Sequence, residues 1–287
     1  MDISTRWYGA AGATLVAAGL TARYVTKWRR RRTLRRGGIS DREAMGARYY
    51  IGLDLTDPYA QRRRPCDVAI LGPELDCTFD KWDYKVDGSG IVPTRALGRS
   101  FILAIDGPQG LAGSVDALLR ESERLVNAPG RTPYELPKSG KPYSGFIQGS
   151  VELFYRLVTS GSRFRLLGME DVLPTNANLI EVFPGGTWKI IAASPLPAKR
   201  TLDGRQARRE LLESLGVTFP TGDLPTHDQL DATVAAWVAY AMHQGRVSVE
   251  GVPPDLDENA GAMREGFIVQ PLPTDEAMVD PVVAPSV

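Results

Sequence analysis

The chain is poor in the residues that most often carry chemistry. It holds two cysteines and two histidines in 287 residues. Cys66 and Cys77 have neither a zinc-ligand spacing nor the density of a disulfide framework. They fall on neighbouring predicted strands, close enough to meet, and two buried thiols in a reducing compartment account for them. Long apolar runs are also lacking. The uncharged stretch Trp7–Ala22 has 16 residues, interrupted by Gly9, Gly12 and Gly19, whereas a spanning helix needs about 20 apolar residues. Net charge is absent as well, with 34 Lys and Arg against 34 Asp and Glu. That balance excludes the bulk positive field of a tight, non-specific DNA binder.

What charge there is lies unevenly. Residues 1–44 carry ten basic against three acidic groups, residues 45–250 carry 23 against 24, and residues 251–287 carry one against seven. Eight Arg and Lys follow the apolar stretch between Arg23 and Arg36. Three readings of this leader stay open: a weak membrane anchor with its arginines on the cytoplasmic side, a basic arm for anionic lipid or nucleic acid across residues 7–36, or sequence upstream of a true start at Met45. The expected organisation is a leader over 1–44, one domain over 45–271, and a disordered acidic tail over 272–287. The expected location is the cytoplasm, or the inner face of the membrane if the leader inserts.

Periodicity predicts an α/β domain. RYYIGLDL (48–55), CDVAIL (66–71) and ELDCTFDKW from Glu74 read as three strands joined by short turns, an antiparallel meander. FILAID (101–106) and NLIEVF (178–183) are near-continuous apolar runs, as expected of buried parallel strands. Helices are expected near 114–126 and 149–159, over TWKIIA, over 203–215 with an Asp cap and a Gly stop, and over the alanine-rich 227–243. Residues 127–145, rich in Pro and Gly, read as a loop, and GFIVQP (266–271) as a last edge strand. The fold class is therefore a mixed sheet, a three-strand meander plus parallel strands, flanked by helices.

Against this frame a set of acids is conspicuous. Asp54 ends the first strand and Asp106 the fourth, where open α/β sheets keep their ligands. Asp228 and Asp231 stand three apart on one face of the alanine-rich helix. Asp231 begins the otherwise apolar stripe Asp231, Ala235, Val238, Met242, and a carboxylate on a buried stripe needs a cation. Glu181 lies within an apolar strand and is either a further metal ligand or the partner of a basic group such as Lys189 or Arg205. Carboxylates from two strand ends and a helix can converge on a divalent cation. Bland roles compete with each: Asp54 in an Asx turn with Asp57-Pro58, Asp228 at a helix N-terminus that favours negative charge. Lys199, Arg200, Arg205, Arg208 and Arg209 are candidates for substrate phosphate, the last three on one helix face, with a solvated amphipathic face as the alternative. His227 is a candidate outer-shell or proton-handling group. Arg62-Arg63-Arg64 reads as an exposed loop between strands.

The pieces GLDLTD, AIDGPQGLAG, EVFPGGTW, KR…GRQARRELL, HDQLDATVAAWVA and EGFIVQP together resemble the family called domain of unknown function 429, whose members are described as ribonuclease H-like nucleases. The resemblance spans roughly residues 48–271. DQLDATVAA is also similar to the last catalytic helix of Holliday-junction resolvases. The likeness implies two-metal phosphodiester hydrolysis of nucleic acid with Mg²⁺ or Mn²⁺ ions about 4 Å apart. Asp54 would bridge the ions, Asp106 and Asp231 would hold one each, and Asp228 would assist. Glu181 has no counterpart in the resolvases. Two other readings are carried forward: an ATPase or sugar-kinase-like phosphotransferase of the same superfold, and a non-catalytic scaffold. Thr56-Asp57-Pro58 after the first strand contains no glycine to cradle phosphate, which disfavours the phosphotransferase. Unneeded buried carboxylates would destabilise a scaffold.

Overall fold

In the computed structural model the described residues are 48–159, 164–169 and 177–273. The leader, the Met45 start and nearly all of the acidic tail lie outside them. The first strand, β1 (Arg48–Asp54), pairs antiparallel with β2 (Cys66–Leu71), which pairs antiparallel with β3 (Cys77–Trp82). This is the expected meander. On its other side β1 runs parallel to β4 (Ser100–Asp106), and β4 parallel to β6 (Ala177–Val182). β8 (Ala262–Pro271) runs parallel to β6 and antiparallel to β7 (Val247–Asp257), and the short β5 (Arg165–Leu166) also pairs with β6. The order β3-β2-β1-β4-β6-β8-β7 makes one mixed sheet, and with its flanking helices an α/β fold.

Strand alternation sorts the apolar residues into two cores. Tyr50, Ile102, Ala104, Ile180 and Val182 point to one face. They pack there against Trp188 of α3 (Pro184–Ile191), Leu212 of α4 (Leu202–Ser214) and Leu230, Val234 and Val238 of α5 (His227–His243). Ile51, Leu53, Leu103, Ile105 and Leu179 point to the other face, against Leu153, Phe154 and Leu157 of α2 (Ser144–Thr159). Helices on both faces explain why β2 is buried along its whole length and β4 at all but its end residues.

Helix α5 sits unusually close to the sheet because β1 has a glycine beneath it. A Cβ on Gly52 would lie 1.9 Å from the Ala232 carbonyl oxygen and 2.5 Å from the Ala236 nitrogen. The alanines of α5 complete the fit from the other side. The helix start is fixed by a capping box: Thr226 Oγ1 accepts from the Gln229 N–H at 3.1 Å, and Gln229 Oε1 accepts from the Thr226 N–H at 2.8 Å. His243, at the other end, has Nδ1 2.6 Å from the Tyr50 hydroxyl, a structural role.

Several expected boundaries move. β8 is interior, not the edge, and β7 lies outside it. Pro253 and Pro254, at a register shift in β7, suit an outer strand, where a missing N–H costs little. The helix expected over 114–126 is only α1 (Glu121–Val126), while α2 starts at Ser144, five residues before its expected start. Helix α4 begins one residue early and its cap is Thr201, which accepts from the Gly204 N–H at 3.0 Å, not Asp203. Cys66 and Cys77 are buried free thiols at opposite ends of the β2–β3 ladder, paired with Trp82 and Leu71. They do not meet.

Candidate active site

Asp54 and Asp106 are register partners at the ends of adjacent parallel strands. They share the parity of Gly52 and Ala104, so both project toward α5. Both are half-buried. Burial, followed by the charges of Asp106, Asp231 and Asp228, pushes the Asp54 carboxyl up to about 9. Burial and the charge of Asp231 push Asp106 up to about 7. These repulsions bring Asp54, Asp106, Asp228 and Asp231 into one electrostatic neighbourhood, and the charge of Glu181 adds to the rise at Asp106.

Two of the four acids have basic neighbours, and one of them, Asp231, is hydrogen-bonded at both oxygens. Asp231 is buried, with Oδ1 accepting from Trp188 Nε1 and Oδ2 from Lys199 Nζ, each at 2.7 Å. Asp228 lies 2.7 Å from His227 Nδ1 and 3.6 Å from an Arg64 nitrogen. No hydrogen bond or ion pair within the described residues engages Asp54 or Asp106. Lys199 is the cation whose charge acts on both Asp54 and Asp106. Burial pulls its ammonium down, but the Asp231 hydrogen bond and the charges of Asp231, Asp54 and Asp228 outweigh this and hold it above its ordinary value. Among the described residues no group of three or more His, Cys, Asp or Glu side chains is gathered as a ready metal cage.

Glu181 stands apart from this group. Its register partner is Ile105, one step from Asp106, so it projects to the opposite face of the sheet. There Arg120 donates to both of its oxygens, at 2.5 and 2.7 Å, and the Gln109 N–H donates at 2.9 Å. Arg120 is 1% exposed and also bonds Glu123, whose oxygens take Thr132 as well. The partner of Glu181 is therefore Arg120, not Lys189 or Arg205. Sequence reasoning missed Arg120, which sits between an irregular segment and a six-residue helix without any periodic pattern.

The basic candidates divide. Arg200 and Arg205 line an open pocket of about 470 Å³ beside the acids, with His227, Asp228, Arg64 and Lys81. Arg208 is buried over the Trp188 ring and donates to the Pro197 and Gly204 carbonyls at 2.9 and 2.8 Å. Arg209 pairs with Glu213 and covers Phe219. Helical spacing placed these three together, but α4 packs on α5 and its Arg208 reaches in to the Trp188 ring and the Pro197 carbonyl, so Arg208 faces inward.

A family model described as Protein of unknown function (DUF429) matches residues 159–257. This segment belongs to that family. The DUF429 segment contains Glu181, Lys199, Arg200, Arg205, Asp228 and Asp231, whereas Asp54 and Asp106 precede it. No curated protein and no solved structure matches the chain.

Proposed function

We propose that the protein is a metal-dependent phosphodiester hydrolase acting on nucleic acid. One observation carries this reading: Asp54 and Asp106 sit side by side at the ends of parallel strands, unpaired within the described residues, with burial and neighbouring carboxylates raising both above the usual range. Such a pair is costly without a cation. The donor set fits Mg²⁺ or Mn²⁺, which bind hard oxygens, keep several waters and commonly use one or two carboxylates plus substrate phosphate. Asp54 and Asp106 would hold the ion. A divalent ion there supplies an activated water and charge stabilisation for the leaving oxygen.

The chain's own residues have separate tasks. Trp188 and Lys199 hold Asp231, which keeps the Lys199 ammonium beside Asp54 and Asp228. That ammonium can meet a substrate phosphate as a point charge. Arg200 and Arg205 extend the positive wall into the pocket. His227, 2.7 Å from Asp228 in the pocket wall, would be the outer-shell or proton-handling group. Asp231 acts as the anchor of Lys199 in this arrangement, which replaces the direct ligand role that the family resemblance implies.

The test is a cleavage panel over single-stranded, duplex and branched DNA and RNA, with Mn²⁺, Mg²⁺ or EDTA. Metal-dependent cleavage that Asp54→Asn reduces to background, in a variant that still folds, supports the reading. Equal cleavage by Asp54→Asn removes Asp54 from the chemistry. Thermal stabilisation by ATP but not by metal would move the assignment to a phosphotransferase.

A further inference from the structure

We infer that a single strand of nucleic acid lies along the groove formed by the β1–β2 loop, with its phosphates on Arg63, Arg64 and Arg200 and its bases against Tyr59 and Tyr84. This rests on the hydrolase reading for the strand's destination, but its contacts are independent of the acids. The pocket beside the acid cluster does not end at Arg64. A second pocket, of about 180 Å³, shares Arg64 and Pro65 with it and continues past Arg63 to Asp83 and Tyr84. Together they make a track that leads away from Arg200 and Arg205 across the loop.

The groups along this track have the chemistry of a single-strand site. Arg62, Arg63 and Arg64 are exposed. Arg64 faces Asp228 at 3.6 Å and Lys81 faces Asp67 at 2.6 Å, so each acid in the first pocket is already matched by a cation. Among the lining cations Arg63, Arg200 and Arg205 remain in excess over Asp83, and Arg64, its side chain 69% exposed and 3.6 Å from Asp228, can also reach a phosphate. Asp57 and Glu152 stand at the far end, where they accept from the Tyr59 N–H and hydroxyl. Aromatic rings stand at the far end. Tyr59 is 47% exposed and lies within electrostatic reach of Arg63. Tyr84 neighbours Tyr59, is braced by Trp82 with ring centroids 5.6 Å apart, and donates its hydroxyl to the Gly149 carbonyl at 2.9 Å. A positive groove interleaved with aromatic rings binds single strands by backbone contact and base stacking. A duplex hides its base faces and needs a broad positive surface, which the near-neutral body does not offer.

The measurement is anisotropy of a labelled single strand of about 12 nucleotides, as DNA and as RNA, with the full chain in metal-free buffer. The basic residues of the leader are common to every variant, so the readout is the ratio of wild-type to variant affinity. Arg63→Ala with Arg64→Ala is expected to weaken single-strand binding at least about tenfold and to make the salt slope shallower by about 1.4. Tyr59→Leu is expected to weaken it at least about fivefold with no change in slope. Arg99→Ala, at the other end of the sheet, is expected to leave it within about twofold. DNA and RNA arms that both respond, or one alone, support the groove and name the polymer. Ratios near one on single strands overturn it. So do ratios as large on a duplex or on an oligoglutamate peptide of matched length. Circular dichroism melts that coincide with wild type keep a folding defect from imitating the result. Binding without any metal-dependent cleavage would remove the hydrolase reading and leave the groove, whereas cleavage with ratios near one would do the reverse.

Discussion

Asp54 holds its proton far above the range of an ordinary aspartate, and this has a consequence for stability. Its carboxyl is raised to about 9, so the folded state binds the proton more tightly than the unfolded chain does. The resulting penalty is absent below about pH 4, where both states are protonated. It grows as the unfolded-state carboxyl ionises and is complete only above about 9. Asp54→Asn should therefore raise the melting temperature in metal-free buffer near about pH 8, with the gain shrinking toward about pH 4.5. A variant less stable than wild type at the higher pH would contradict this. Arg120 is the opposite case. Arg120→Met would leave Glu181 and Glu123 buried without their cation, and should cost about 3–5 kcal/mol in urea unfolding, with Glu181→Gln recovering part of the loss in the double variant. A loss below about 1 kcal/mol would show that the network is dispensable. At this scale the four aspartates were legible because strand ends and a helix stripe are periodic features. Glu181 was ambiguous because its facing depends on register across β4, which no single strand reveals. Arg120 was invisible because its partner Glu181 is 61 residues away along the chain and it follows no pattern of its own.

Helix α5 and strand β1 form the pair of elements on which the site depends. Gly52 lets the Ala232 and Ala236 backbone approach, and that approach brings Asp231 and Asp228 toward Asp54. Gly52→Ala would force the helix outward, because the added carbon meets backbone and not a side chain that can rotate. It should cost at least about 1–3 kcal/mol, and the same displacement should weaken metal binding. Unchanged stability, measured by denaturant melts, would mean that the helix is free to move. The meander, the two buried parallel strands and the bounds of α5 were readable from alternation and from the Thr226–Gln229 cap. The error at β7 and β8 has a clear source. Pro253 and Pro254 read as the end of regular structure, although prolines are tolerated on an outermost strand. The late start assigned to α2 came from counting Gly145 with the Pro- and Gly-rich loop and opening the helix at Gly149. Their lack of a Cβ makes room for Asp57 and Pro58 instead.

As a whole the molecule combines a near-neutral body with local concentrations of charge. Acids gather where β1, β4 and α5 meet, and arginines gather on the adjoining loop and before α4. The described residues include no helix long and apolar enough to cross a membrane. Opposed charges a short distance apart fit a reaction in which a cation and a polyanion meet, and the central claim is that Asp54 and Asp106 form the cation's seat. The most direct measurement is thermal melting of the full chain and of Asp54→Asn, with and without Mn²⁺, in buffer freed of other divalent ions. At Mn²⁺ about a hundredfold above Kd, the linkage adds about 2.7 kcal/mol, which for a domain of this size is a rise of roughly 5–10 °C. The account predicts that rise for the wild-type chain and its loss in Asp54→Asn. An equal rise in both proteins, or no rise in either, would contradict it.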